Sequence, residues 1–309
     1  MSILCTIVVN PMVHKRRRGE GFGVSLWFVE SASSAHKLEW KITREVYSTR
    51  SPFQYVQVVE TEQFGLALIL DGIMQTTVGD EFIYHEMLAL VPLLSHPAPR
   101  NVLIIGGGDG GLSREVLRVS GVQRVVMVEI DAVVVDVAKR FFPHHTASMH
   151  DPRLHVVFDD GAAFLKSQAE STEKFDVILV DSTDPEGDGP GKFLYTSEFH
   201  ADVRRVLNPG GVYVQHTGAP FHNPEVLGMV TEDVSKKFPV CQTYWATVPT
   251  YPGGIFTFTA GSLGPNLSQP IRTLQGETQW YTPDIHRLAF ALPPYIEHLI
   301  RSDIQISRH

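Results

Sequence analysis

The rhythm of apolar positions changes near residue 100. Before it, Glu39–Val46, Gln54–Thr61, Leu66–Leu70 and Ile73–Thr77 are short runs rich in β-branched and aromatic residues, the pattern of strands. Asp71-Gly72, between the last two, signals a tight hairpin turn. Residues 23–80 are therefore expected to form a small antiparallel β-domain. Glu81–Leu94 has a helical pattern that breaks at Ser95–Pro99. From Asn101 onward, strands and helices alternate. The predicted strands are Val102–Ile105, Arg124–Glu129, Leu154–Phe158, Phe175–Val180, Gly211–Gln215, Cys241–Thr247 and Ile255–Ala260. Helices are predicted near 111–119, 132–141, 161–169, 196–207 and 224–237. The segment Val248–Gly254 is too short for a crossover helix, so the last two strands should close the sheet as an antiparallel hairpin.

The expected class is thus α/β: a parallel sheet closed by an antiparallel hairpin over 81–309, preceded by the small β-domain. A terminal hairpin of this kind fits the methyltransferase-like Rossmann fold of adenosylmethionine-dependent transferases better than a plain dinucleotide-binding fold. Residues 1–22, with the basic run Lys15–Arg18, are expected to be a solvated, disordered tail. The apolar stretch Ile3–Val9 precedes that basic run, the wrong order for a signal peptide. No run of about 18 apolar residues is present to span a membrane.

The 309 residues carry a net charge of −8, which does not suit general binding to a phosphate backbone and is compatible with polycationic ligands. The two cysteines, Cys5 and Cys241, lie far apart with no zinc-ligand spacing, as expected of reduced thiols in a cytoplasmic protein. No metal site is expected.

The chemistry concentrates after the first strand of the alternating region. Gly106, Gly107, Gly108, Gly110 and Gly111 surround Asp109 at a strand-to-helix turn, where a nucleotide or sulfonium can approach the backbone closely. A carboxylate is a poor neighbour for phosphate and a good one for ammonium, so Asp109 points to an adenosyl ligand with a cationic tail. Glu129 ends the next strand, where an acid commonly binds ribose hydroxyls. Asp160-Gly161 follows the third strand, and its carboxylate reads either as an acceptor for the adenine amino group or as a helix cap. Asp181 and Asp184 follow a buried-type strand at its C-terminal end, where open α/β sheets place their sites. Two acids this close repel one another unless a cation, metal or diamine, joins them.

Together these motifs are similar to those of the spermidine synthases, the polyamine aminopropyltransferase family. The resemblance runs through Ser51-Pro-Phe-Gln, Leu70-Asp-Gly-Ile-Met-Gln-Thr-Thr, Asp80-Glu-Phe-Ile-Tyr-His-Glu-Met, Ile104-Ile-Gly-Gly-Gly-Asp-Gly-Gly, Val128-Glu-Ile-Asp, Asp159-Asp-Gly, Asp181-Ser-Thr-Asp-Pro, Pro249-Thr-Tyr-Pro-Gly-Gly and His286–Pro293. It implies decarboxylated S-adenosylmethionine as co-substrate, putrescine as acceptor, and a homodimer or homotetramer. Gln54, Gly106, Asp109, Glu129, Asp160 and Gly161 would then hold the donor. Trp27, Tyr84, His85, Asp109, Asp181, Asp184, Gln215 and Tyr251 would line the amine channel, with Asp181 as the base and Tyr84 and His85 as candidate proton relays. The segment Pro185–Thr196 departs from the family by being longer, and its spelling is similar to that of enzymes with longer or guanidino acceptors. It reads as a lid with Gly187, Gly189 and Gly191 as flexible points, and Pro190 would be the donor-contacting proline. Acceptors other than putrescine (agmatine, cadaverine, spermidine), N-methylation of a polyamine, and non-catalytic polyamine binding are the competing expectations. Intact Asp109 speaks against methylation by ordinary adenosylmethionine.

Overall fold

The computed structural model describes residues 6–10, 25–30, 36–185 and 189–301. The chain divides into two compact units, residues 1–81 and 82–309.

The first unit is a six-stranded antiparallel sheet in which β1 (Thr6–Asn10), β2 (Ser25–Glu30), β3 (Leu38–Arg50), β4 (Tyr55–Thr61), β5 (Gly65–Leu70) and β6 (Ile73–Thr77) pair in chain order. One face buries Phe28, Ile42, Val59, Ala67, Ile69 and Met74 as a common cluster. Asp71 and Gly72 have φ of 47° and 84°, and Leu70 pairs with Ile73. Positive φ at both central positions matches the strand twist, which is why Asp-Gly sits there. Part of the expected tail corrects the sequence reading: Thr6–Asn10 is a strand, and its Thr-Ile-Val-Val sequence suits the pleated edge of β2. The rest of residues 1–22 lies outside the described residues.

The second unit begins along α1 (Glu81–Ser95) and continues β7 (Asn101–Gly106), α2 (Gly111–Arg118), β8 (Arg124–Glu129), α3 (Ala132–Phe141), β9 (Leu154–Phe158), α4 (Gly161–Gln168) and β10 (Phe175–Asp181). Then come α5 (Ser197–Val206), β11 (Leu207–Gly218), α6 (Pro224–Lys237), β12 (Val240–Thr247) and β13 (Ile255–Ser262), followed by the short helices α7 (Pro283–Leu288) and α8 (Pro294–Ile300). The strand order is β12-β13-β11-β10-β7-β8-β9. Strands β11, β10, β7, β8 and β9 are parallel, and β13 is antiparallel to both β11 and β12, the expected closing hairpin.

Side chains alternate across this sheet with period two. Val102, Ile104, Val125, Met127, Val177, Leu179, Val212 and Val214 pack with α1 and α2 on one face. Leu103, Ile105, Val126, Val128, Ile178, Val180 and Tyr213 pack with α4, α5 and α6 on the other. Both faces are covered, so the central strands read as continuous apolar runs.

The strand order reverses between β7 and β10, and a topological switch point of this kind opens a crevice at the strands' carboxyl ends. Gly106 and Asp181 are register partners there. Gly106 has φ +82°, and a Cβ on it would lie 1.9 Å from the Asp181 carbonyl oxygen. No side chain fits a backbone crossing that close. Gly106→Ala is expected to destabilise this unit by about 3 kcal/mol, measured as a lower urea midpoint. An unchanged midpoint would show that the crossing is not a constraint.

Candidate functional site

The loop from β7 into α2 holds Asp109 over the switch point. Its Oδ1 accepts from the Gly111 N–H at 2.8 Å, which fixes the carboxylate at the start of the helix. Its Oδ2 lies 3.4 Å from Nε2 of His85, one turn into α1. A Cβ on Gly111 would strike the His85 ring at 2.3 Å, so a glycine there lets α1 and α2 close around the imidazole. The neighbouring residue on α1, Tyr84, donates from Oη to Asp181 Oδ1 at 2.9 Å. Tyr84 and His85 thus each carry one of the two acids. His85, Asp109 and Asp181 place one ligand-capable atom apiece within 4.8 Å of one another. Such a cluster can hold a metal ion, and it can equally receive a primary ammonium.

Their protonation states differ. Burial alone would push Asp109 up, but the charge and hydrogen bond of His85, with His145 and the Gly111 N–H, hold its carboxyl well below the usual range. Asp181 goes the other way, raised by burial and by the charge of Asp109 against the opposing pull of His85, Tyr84 and His216. Burial, then Asp181, keeps the Tyr84 phenol protonated, so it remains a donor. The crevice therefore combines one acid whose proton affinity is lowered with one whose affinity is raised, the separation expected of groups with different chemical roles.

Glu129 closes the other side. Its Oε2 accepts from the Gly108 N–H at 3.1 Å and its Oε1 from the Asp131 N–H at 2.9 Å. Burial pushes its carboxyl up to about 7 although both N–H groups oppose the shift. Asp160 caps α4, its Oδ1 accepting from the Ala163 N–H at 2.9 Å, and Gly161 opens that helix. Both sequence readings of Asp160 are compatible with this position, since the cap engages one oxygen.

Beyond Asp181, an aromatic wall continues the crevice. The Tyr84 ring lies 5.8 Å from Tyr251, 5.8 Å from Phe256 and 6.3 Å from His216. Asp184 stands beside it, with Oδ1 3.5 Å from Nδ1 of His216. Burial raises the Asp184 carboxyl, with His216 pulling against it.

The structure does not bring Gln215 to these groups. Its Oε1 accepts from Tyr213 Oη and lies 3.2 Å from His200 Nε2, while its Nε2 donates to the Leu194 carbonyl at 3.2 Å. Gln215 sits on the Tyr213 face of β11, and the next residue, His216, sits on the Val214 face that meets α1. Period-two alternation along Val212–His216 was the signal that could have found His216. Pro190 opens a 3-10 turn over Pro190–Tyr195, and Gly187 of the expected lid lies outside the described residues. Trp27 and Gln54 belong to the first unit, in β2 and in the turn Ser51–Gln54 that leads into β4.

Residues 81–269 match the family model of the spermine/spermidine synthase domain, and residues 26–78 that of the spermidine synthase tetramerisation domain. The chain is 40% identical over 278 residues to the polyamine aminopropyltransferase of Bacillus subtilis (strain 168), covering 89% of this chain and 99% of that one. It is 41% identical over 280 residues to the polyamine aminopropyltransferase of Bacillus mycoides (strain KBAB4), covering 90% and 100%. Among solved structures it is similar to a spermidine synthase in complex with the transition-state analogue AdoDATO, with a TM-score of 0.85, 33% identity and coverage of 96% and 98%. The spermidine synthase from Thermotoga maritima gives 0.83, 31%, 95% and 96%.

Glu129 yields a test of the electrostatics. Its folded value of about 7 lies above the ordinary 4.5. Between those values the unfolded chain has released the proton while the folded one keeps it, so stability falls as pH rises and levels off above about 7. Glu129→Gln is expected to flatten that part of the profile, with a relative gain of order 2 kcal/mol at about pH 8, read from urea midpoints. An identical slope in the variant would contradict the burial-driven shift.

Proposed function

Because the chain belongs to the spermine/spermidine synthase family, we propose that it transfers the aminopropyl group of decarboxylated S-adenosylmethionine to putrescine, giving spermidine and 5'-methylthioadenosine. The observation that carries this reading is the meeting of Asp109 and Asp181 in one crevice, the first held by His85 and the second by Tyr84.

Glu129 is positioned to accept from the ribose diol of the donor, and Asp160 and Gly161 from their helix start to meet its base. Asp109 then faces the donor's aminopropyl ammonium. Ordinary adenosylmethionine carries a carboxylate on that tail, so the same buried charge that attracts one donor repels the other.

The reaction is a displacement. A neutral amine nitrogen of the acceptor attacks the carbon next to the sulfonium, a C–N bond forms, the C–S bond breaks and methylthioadenosine leaves with the electron pair. The proton lost by the nitrogen passes to Asp181. An alkylammonium titrates near about 10 and an ordinary Asp near about 3.9, so the raised affinity of Asp181 for a proton narrows the gap without closing it. Holding the amine in line with the C–S bond supplies much of the rate. Displacement at a sulfonium requires no Lewis acid, so the reading involves no metal. Tyr84, Tyr251 and Asp184 line the path of the acceptor's chain.

The match to a tetramerisation domain supports a homo-oligomer, dimer or tetramer. A cytoplasmic location accords with this metabolism, and no helix among the described residues is long and apolar enough to cross a membrane. The long Pro185–Thr196 segment favours, as a second reading, the same transfer to agmatine, cadaverine or spermidine.

Release of methylthioadenosine from decarboxylated adenosylmethionine, with each amine offered separately, tests the reading. Fastest turnover with putrescine is expected; fastest turnover with another amine would move the acceptor to the second reading. No turnover with any would leave a polyamine-binding protein. Asp181→Asn is expected to lower kcat at least about 100-fold while methylthioadenosine binding survives, and near-normal turnover would remove Asp181 as the base. Asp109→Asn is expected to erode the preference for the decarboxylated donor over adenosylmethionine by about tenfold or more. An unchanged preference would refute the charge argument.

A further inference from the structure

Gln215 has no part in the crevice described above, yet it is buried at 0% exposure and its amide is engaged at both ends. The Leu194 carbonyl only accepts, so the amide turns Nε2 toward it, at 3.2 Å, and Oε1 the other way. Oε1 accepts from Tyr213 Oη, and Nε2 of His200 lies 3.2 Å from the same oxygen. Burial raises the Tyr213 phenol well above its ordinary range, so it stays a donor. His200 is braced in turn, with Nδ1 2.6 Å from Asp233 Oδ2. Asp233 Oδ1 accepts from Ser197 Oγ at 2.8 Å and from Lys237 Nζ. The amide is thus gripped from β11 by Tyr213, from α5 by His200 and, through His200, from α6 by Asp233.

What the amide holds is the 3-10 turn Pro190–Tyr195. The last carbonyls of such a turn have no partner within it. Thr196 Oγ1 donates to the Phe193 carbonyl at 3.0 Å, and Gln215 serves the Leu194 carbonyl. The Leu194 side chain is 8% exposed and shares a cluster with Ile105. A Cβ on Gly161 would lie 2.4 Å from Ile105 Cγ2 and 3.6 Å from Leu194 Cδ2, so these two side chains close on the start of α4. That is the corner at which Asp160 and Gly161 are placed to meet the donor's base. Tyr195, next along the turn, has an anchor of its own, with Oη 3.2 Å from His216 Nε2. The Gln215 bond therefore bears chiefly on Leu194.

We propose that Gln215 is a positioning residue for the donor: it clips the 3-10 turn to β11, fixes Leu194 against Gly161, and so tunes affinity for the adenosyl part while itself sealed from both substrates. This rests on the aminopropyl-transfer reading above. Without the amide N–H, the Leu194 carbonyl is left buried and unpaired or must move out to water, and a buried unpaired carbonyl is costly enough to shift the turn.

Gln215→Met tests this, because methionine keeps the length of the side chain and removes the N–H. The expected result is a rise of about tenfold in the methylthioadenosine Kd, read by calorimetry, and in the donor KM. The amine KM at saturating donor and kcat should stay within about threefold of wild type. Should Gln215→Met fail to fold, judged by urea unfolding, Gln215→Asn serves instead: it keeps an amide but is one methylene too short to reach Tyr213 and Leu194 together, and the same split is expected. Leu194→Ala should also weaken methylthioadenosine, and adding the Gln215 change to it should cost less than about twofold more, since little is left to position. An amine KM that rises as much as the donor KM, no change in either, or full additivity with Leu194→Ala would overturn the proposal and leave aminopropyl transfer standing. Failure of the wild type to turn over any amine would instead overturn the transfer reading, and this proposal with it.

Discussion

Several carboxylates buried beside one another are unstable company unless positive charge or protons hold them apart, and the second unit is built around that constraint. Asp109 and Asp181 share one crevice, with Asp184 three residues beyond, near its aromatic wall. In water two such charges would barely notice each other; inside a protein their repulsion is several-fold stronger. The fold answers with a histidine on Asp109, a phenol on Asp181 and a second histidine near Asp184. These partners hold the proton affinity of Asp109 down, while burial and the charge of Asp109 raise that of Asp181 against their pull. A cationic ligand relieves the same repulsion more fully, which is why the crevice selects ligands by charge.

The scaffold serves that arrangement. The switch point places the ends of β7 and β10 side by side, and the absence of a side chain at Gly106 lets their backbones cross. α1 contributes Tyr84 and His85, adjacent residues that reach different acids, and its next two turns, Met87–Leu94, are almost wholly buried, so the pair is anchored by packing rather than by loop order. The rigidity that positions an amine in line for displacement comes from apolar contacts on a parallel sheet.

Much of this was legible in the sequence because the relevant signals are local. Strand and helix positions followed from periodicity, and Asp109, Glu129 and Asp181 followed from acids at the ends of apolar strands. Tyr84 and His85 came from resemblance. What escaped was either weakly patterned or non-local. Thr6–Asn10 resembles a tail by its neighbours, and only pairing with β2 makes it a strand. The short helices α7 and α8 each start at a proline and show little periodicity, so tertiary packing decides them. Gln215 and His216 are adjacent polar residues at the end of one strand, and a one-residue choice reverses the face. The register against β13 is regular from Val212 through His216 and shifts only after it, so alternation sets His216 on the face of Val214.

The central claim is that the buried acids form a seat for a cation. The most direct measurement is calorimetric titration of the methylthioadenosine-bound protein with putrescine at about pH 6, in buffers of different ionisation enthalpy, which counts protons exchanged on binding. The account predicts that the diamine binds and drives protons out of the crevice, in numbers that shrink as pH rises. Failure of putrescine to bind, or binding with no proton release at any pH, would contradict it.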